Sequence, residues 1–373
     1  MKNEKYKKVV QNLLSACGIA IDGNAPWDIN IQNEQFYKRV LSDGSRGLGE
    51  AYMDGWWNCE HLDDFFSRLI PSLPEAVIKK NWKLLLHALS ARIANQGSKS
   101  RAFQIGERHY DIGNDLFENM LDRRMVYSCA YWKECKNLDD AQESKLDLIC
   151  RKLDLRSGQR VLDIGSGWGS FAKFAVEKYG VEVLGITVSE KQASYSRELC
   201  RGLPVDIRLQ DYRDVNGTFD HIVSVGMFEH VGMKNYRTFM EVVHRCLKSD
   251  GLFLLHTIGH NRSVIANDPW VDKYIFPNSM IPSMKQISAS IERLFVLEDL
   301  HNIGVDYYAT LIAWYKNFQS GWSALRDRYG ERFFRMWEYY LLSFAAAFKT
   351  RHLQVWQIVL HKNGIPGGYM QVR

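Results

Sequence analysis

VLDIGSGWGS, Val161 to Ser170, is the stretch on which the fold turns. An apolar run holds one acid, Asp163. Glycines follow at 165, 167 and 169, and SFAKFAVEKY then reads as a helix. Glycine lets a backbone turn tightly and approach a ligand closely. The spacing is not the dinucleotide pattern G-x-G-x-x-G, because the third glycine comes one residue early. A tight strand-to-helix turn with no ligand is the plain alternative. A strand on one side and a helix on the other favour a cofactor.

Outward from this turn, strands are predicted over 160–164, 181–186, 205–209, 219–225, 252–257, 295–300 and 355–361. Helices at 170–179, 190–200 and 236–247 lie between several of them. That alternation implies βαβ units, hence an α/β fold with a largely parallel, doubly wound sheet. A long helix near 331–350 leads into the last strand without a matching crossover, which predicts an antiparallel edge strand.

The first hundred residues read as mainly helical and irregular. GSRGLGEAYMDGWWNCEHLDDFF (44–66) lacks strand alternation and suggests short helices joined by glycine turns. Pro71 and Pro74 break the chain. VIKKNWKLLLHALSARIANQ (77–96) reads as a basic helix with Trp82, Leu85, Leu86, Leu89 and Ile93 on one face. GSKS (97–100) reads as a linker. The expected division is a smaller helical domain over 1–97 and a catalytic domain over 98–373.

Hydrophobic residues make up 46% of the 373 and charged residues 24%, which excludes disordered and collagen-like chains. Aromatics reach 13%, with 11 Trp, a hint of apolar ligands or interfaces. No run of about 18 apolar residues is present to span a bilayer. MKNEKYKKVVQNLL is charged and does not read as a signal peptide. Seven cysteines, an odd number without a CxxC pair, indicate neither a metal site nor a disulfide framework and fit a reducing cytoplasm.

The D-x-G-x-G-x-G turn resembles motif I of class I methyltransferases that use S-adenosylmethionine. Strand two ends in GITVSEKQ, with Thr187 and Ser189 in the region where dinucleotide enzymes place an acid for the ribose, and Gln192 on the next helix. Strand three ends in LQDYRD. There Asp211 is placed to accept from an adenine amino group and Tyr212 to stack on the base. An ordinary turn is the alternative for Asp211 alone.

RHYDIGNDLF (108–117), VYSCAYW (126–132), SVGMFEHVG (224–232), LLHTIGHN (254–261) and GVDYYATLIAWYKNF (304–318) carry a narrower resemblance. They are similar to the cyclopropane-fatty-acyl-phospholipid synthases and the related mycolic acid cyclopropane synthases. GLGEAYMDGWWNCEHLDDFF resembles the bacterial phospholipid enzymes in particular. The resemblance covers nearly the whole chain. It implies methyl transfer to a cis double bond of a phospholipid acyl chain, then proton loss and ring closure. It adds Tyr127 and Ser128 to a cofactor set of Asp163, Gly165, Gly167, Gly169, Thr187, Gln192, Asp211 and Tyr212. It also implies a bound bicarbonate as base, held by Cys129, Glu229, His256, Ile258 and Tyr307. A homodimer, peripheral on the inner face of the cytoplasmic membrane, is implied as well.

Physical chemistry sets matching demands. An alkene is a poor nucleophile, so alignment and exclusion of water must carry the reaction. Aromatic faces stabilise a carbocation without attacking it, by about 0.5–2 kcal/mol each. Tyr127, Tyr131, Phe228, Tyr307 and Trp314 are candidates. Each assignment has a plainer counterpart: Cys129 as a small buried residue, Glu229 as a helix cap, His256 as a satisfied core histidine, Tyr307 as a helix contact. Glu229 and His256 both fall at carboxyl ends of strands, where open α/β sheets bind ligands. Two departures stand out. Phe344 occupies the position of a cysteine found in some relatives, and Tyr308 stands where an acid is common. Rival readings are a small-molecule O- or N-methyltransferase, methyl transfer giving a branched product, and a membrane-surface binding protein without catalysis.

The formal net charge of +5 is placed unevenly. Lys79, Lys80, Lys83, Arg92, Lys99 and Arg101 fall between 76 and 106 with no acid among them. Taking those six from +5 leaves the rest of the chain at −1. With no nucleic-acid motif beside it, the patch argues against a nucleic-acid partner. Either the helix lies on an anionic membrane, or it is solvated and packs its apolar side on the first domain. On the first reading, Lys79→Glu with Lys80→Glu and Lys83→Glu weakens co-sedimentation with anionic vesicles, by about 1 kcal/mol per residue. Binding indifferent both to anionic lipid content and to these substitutions marks the second.

Overall fold

A computed structural model describes residues 2–72, 112–264 and 266–373. The basic stretch 76–106, the linker 97–100, the expected boundary at 97/98 and positions 108–111 of RHYDIGNDLF lie outside the described residues.

The chain forms two compact units. One comprises Met1–Ala94, Ile265–Pro277 and Leu311–Leu353, the other Asn95–Val264, Asn278–Thr310 and Gln354–Arg373. These two units group the chain differently from a single cut at 97/98. Two late segments group with the N-terminal residues, because aromatic faces far apart in the chain share one core.

The second unit is built on a seven-stranded sheet: β1 (Arg160–Ile164), β2 (Glu182–Thr187), β3 (Val205–Leu209), β4 (Phe219–Val225), β5 (Leu247–His260), β6 (Val296–Asn302) and β7 (Leu353–His361). Their order is β3-β2-β1-β4-β5-β7-β6. The pairs β1–β2, β1–β4, β2–β3 and β4–β5 are parallel, and β6–β7 is antiparallel. An antiparallel pair at this side matches the expectation. The final strand itself lies one place in, with β6 outermost. All nine residues of β7 are buried, whereas Val296, Leu297 and Leu300 of β6 are over 40% exposed.

Side chains alternate between the faces of a strand. Leu162 and Ile164 join one apolar cluster with Phe239, Val243 and Phe253. Val161 joins the other, with Leu146, Ile149, Phe171 and Val223. Asp163 shares the face of Val161, and helix Leu138–Lys152 contributes Leu146 and Ile149 to that face. Asn137 caps this helix by accepting from the Asp140 N–H at 2.9 Å. Asp139 and Asp140 in the first turn and Arg151 and Lys152 in the last match the helix dipole.

In the first unit, the helical span Gln35–Met53 is two helices that join at Gly44, whose φ of 59° and ψ of −133° are non-helical, the glycine junction the sequence suggests. Trp57–Asn58 pairs antiparallel with Asn30–Ile31, a two-residue ladder that alternation cannot announce. Helices Leu62–Ser72 and Glu331–Lys349 share a core of rings. Phe66 meets Tyr339 edge-on at 5.0 Å, Trp57 lies 5.1 Å from Phe65, and Trp270 lies 4.5 Å from Tyr339. Glu338 accepts from the hydroxyls of Tyr52 and Tyr315, each at 2.6 Å. Arg335 stacks over Tyr52 at 4.0 Å and donates to the Trp57 carbonyl at 2.8 Å. Residues 1–97 made alone lack these partners. We expect them to show no cooperative thermal transition by circular dichroism; a sharp one would mark a self-sufficient domain.

Candidate active site

The glycine turn is fastened to the neighbouring strand. The amides of Gly165 and Ser166 both donate to the Ile186 carbonyl, at 3.0 and 2.9 Å. Gly165 has φ +87°, and a Cβ there would meet Met227 at 2.7 Å. Only glycine combines that backbone with that contact. The turn opens onto a pocket at the carboxyl ends of β1, β2, β3 and β4.

Tyr127, Ser128, Asp163, Gly165, Gly167, Thr187, Gln192, Asp211 and Tyr212 all line this pocket. Gly169 does not; it precedes helix Ser170–Tyr179 at φ +84° and faces Ser196. The Thr187 hydroxyl donates to the Gln192 side-chain carbonyl at 3.1 Å. The Asp211 carboxylate is gripped by Arg213, Nε to Oδ1 at 2.7 Å and Nη2 to Oδ2 at 2.6 Å. Tyr212 packs its ring on Phe239 at 5.2 Å, and burial pushes its hydroxyl up to about 12. The Asp163 Oδ2 is buried with no hydrogen-bond partner among the described residues. Burial raises this carboxyl to about 7, against the pull of Lys145.

Past the pocket, the exit of β4 carries the second group. Val225, Gly226 and Met227 line the pocket, and Glu229 follows in a 3-10 turn, Phe228–His230. Glu229 Oε1 accepts from the Ile258 N–H at 2.6 Å, while Oε2 is buried without a partner among the described residues. Burial pushes this carboxyl up to about 7, with the Ile258 N–H pulling the other way. The Gly226 N–H donates to the His256 carbonyl at 2.9 Å. The His256 ring is 2% exposed and pairs Nδ1 with Gln357 Nε2 at 3.4 Å. Burial, aided by Lys145 and Lys152, drives His256 well below its ordinary value, so the ring is neutral.

Cys129 is fully buried, and burial holds its thiol well above the ordinary value. Its Sγ lies 3.7 Å from the Ile303 carbonyl. Next to it, the Ala130 N–H donates to Thr310 Oγ1 at 3.2 Å. The Cys129 segment thus runs against the start of helix Asp306–Tyr329, where Tyr307 is 8% exposed. The structure joins Glu229 directly to Ile258, links His256 to Gly226, and sets Cys129 beside the turn before Tyr307. Phe228 is not a free aromatic face: it stacks on Tyr236 at 4.3 Å inside the core. Tyr131 meets His301 edge-on at 5.7 Å. Trp314 belongs to the first unit.

Residues 97–358 match the family described as mycolic acid cyclopropane synthetase. The chain belongs to this family. It is 51% identical over 371 residues to the cyclopropane-fatty-acyl-phospholipid synthase of Escherichia coli K12, covering 100% of this chain and 97% of that protein. A probable fatty acid methyltransferase of Pseudomonas putida is 36% identical over 269 residues, covering 68% of each. A mycolic acid cyclopropane synthase solved with S-adenosylhomocysteine and CTAB superposes with a TM-score of 0.65 at 30% identity, covering 70% of this chain and 98% of that one. The second unit accordingly has the class I methyltransferase fold.

Within this cyclopropane synthetase family member, several pocket residues escape sequence reasoning. Lys145, Trp168 and Arg213 line the pocket, and Gln357 supports His256 from β7. Only Lys145 had a readable signal, a lysine among the apolar positions Leu138, Ala141, Leu146 and Ile149. Gln357 sits about a hundred residues from its partner, beyond any local pattern.

The Glu229 shift has a measurable sign. Its folded value lies above the ordinary one, so the folded state loses stability as pH rises from about 4 to about 7. Glu229→Gln keeps an acceptor for the Ile258 N–H and removes the titration. Its stability relative to wild type is expected to rise over that window, by at most about 1.4 kcal/mol per pKa unit, then stay level. Denaturant unfolding at pH 5 and pH 8 checks this, and a difference independent of pH contradicts it.

Proposed function

We propose that this chain transfers a methylene group from S-adenosylmethionine to the cis double bond of unsaturated phospholipid acyl chains, forming a cyclopropane ring. One observation carries the reading. Within Val225–Glu229 the exit of β4 supplies three pocket-lining residues and then a buried carboxyl whose Oε2 has no partner. Full-length similarity to a cyclopropane-fatty-acyl-phospholipid synthase supports it.

The pocket fits S-adenosylmethionine through an open glycine turn, with no atom near a Cβ at Gly167, and through the unpartnered Asp163 Oδ2. When bound, that co-substrate supplies an electrophilic methyl on a sulfonium. The chain's part is to align the alkene, exclude water and present aromatic faces. Tyr127, in the pocket wall and edge-on to Phe117 at 5.1 Å, is placed for the last role. Phe228 serves packing instead.

For proton removal we retain bicarbonate, a small oxyanion acting as proton acceptor. The buried donors fit such an anion. Glu229 near its titration point can exchange a proton through Oε2. Neutral His256, with Nδ1 turned to Gln357 Nε2, keeps an N–H on Nε2 to donate. The Tyr307 hydroxyl and the Cys129 backbone complete the set. Ile258 acts through Glu229, because its amide is already bound to Oε1.

The remaining assignments are part of the same proposal. They are docking of the N-terminal residues 1–97 on an anionic membrane surface, catalysis by residues within 98–373, and a homodimer in the cytoplasm at the inner membrane face. A ring-free branched product is the second reading, favoured by the similarity to a probable fatty acid methyltransferase.

Methyl-labelled S-adenosylmethionine and vesicles of mono-unsaturated phospholipid test the proposal. Label in acyl chains with cyclopropane protons by NMR is the expected outcome. Acyl label without ring protons selects the branched product, and no acyl label overturns both. Glu229→Gln and His256→Ala should each lower turnover about 10²–10⁴-fold while sparing cofactor binding. Normal turnover in both removes the bicarbonate assignment.

A further inference from the structure

Lys145 is a cation at the floor of the cofactor pocket with no role in the reading so far. Its side chain is 1% exposed, and it lines the pocket together with Asp163. It reaches there from helix Leu138–Lys152, which covers the face of β1 that carries Asp163. An ammonium has three N–H donors. One goes to Ser128 Oγ at 2.9 Å, and no carboxylate comes within ion-pair distance of it among the described residues. Asp122, the other acid near it, already accepts from the Arg124 and Val126 amides, each at 2.9 Å. Burying an ammonium without an anion in contact is costly. In the same lining, the Asp163 Oδ2 is buried and unpartnered among the described residues. The floor thus offers a positive and a negative group, each with bonding capacity left over.

We propose that Lys145 is the counter-charge for the α-carboxylate of the co-substrate's amino-acid end, opposite an Asp163 that takes its α-ammonium. The inference rests on the S-adenosylmethionine reading above and names what recognises one end of that molecule. A zwitterionic amino acid satisfies both buried groups at once, and neither group alone would need one. The desolvation that lowers Lys145 to about 8 is relieved when an anion arrives. Ser128 acts here as a positioning residue, because its hydroxyl aims the ammonium.

Calorimetric titration of the full chain tests this with three ligands. They are S-adenosylhomocysteine, its descarboxy analogue, and 5′-methylthioadenosine, which lacks the amino-acid end. The wild type should bind S-adenosylhomocysteine at least about tenfold tighter than the descarboxy analogue, as a charge-assisted contact requires. Lys145→Met should bind the two alike and keep its affinity for 5′-methylthioadenosine. Ser128→Ala, which retains the ammonium, should keep a preference for the carboxylate. Equal binding of the two ligands by the wild type overturns the inference whether or not Lys145→Met folds. So does an undiminished preference in Lys145→Met. If no adenosyl ligand binds the wild type, the cofactor reading falls with it.

Discussion

Two amides meeting one carbonyl hold the working end of this molecule together. Gly165 and Ser166 both point their N–H groups at Ile186, the penultimate residue of β2. That fork fixes where β1 stops, which way the chain turns, and how close Met227 comes from the exit of β4. The pocket is the space left when four strand ends are gathered around a turn with no side chain at its tightest point. Its contents follow from alternation along β1, where Leu162 and Ile164 pack on one face and Asp163 is carried to the other.

The site that results is lined by buried ionisable groups. Asp163, Lys145, Glu229 and His256 are all buried, and burial moves each toward its neutral form. In water these groups would be of little note. Here burial pushes the Asp163 and Glu229 carboxyls up to about 7 and Lys145 down to about 8, and holds His256 as a neutral ring. An alkene attacking a methyl cation equivalent needs such surroundings, because a carbocation survives only where water is absent.

Much of this was legible in the sequence because it is local. The parallel strands, the glycine turn and the helices beside them follow from periodicity and turn chemistry within windows of about ten residues. All but one of the predicted cofactor residues line the pocket, Gly169 being the exception. What escaped is non-local. The inward place of β7 depends on pairing with strands from distant parts of the chain. Its unbroken burial is the trace that LQVWQIVLH carries. Gln357 means nothing until it meets His256. Segments 265–277 and 311–353 read as catalytic-domain sequence, yet Trp270 and Tyr339 complete an aromatic core begun by Tyr52 and Phe66. Phe228 looked like a face for a cation and proved to be stacked on Tyr236. Asp211 looked open to a base and is held by Arg213.

The cysteines have a bearing on thiol chemistry. Oxidants and alkylating reagents attack the thiolate. Cys17, Cys129, Cys150, Cys200 and Cys246 are buried, and Cys59, half-buried, has its thiol pushed up to about 12. Cys135 is the remaining partly exposed thiol, and it stands apart from the pocket lining. A maleimide or spin probe placed on Cys135 would therefore report from outside the chemistry. A catalyst that keeps its central sulfur protonated is also insulated from the redox state of its surroundings.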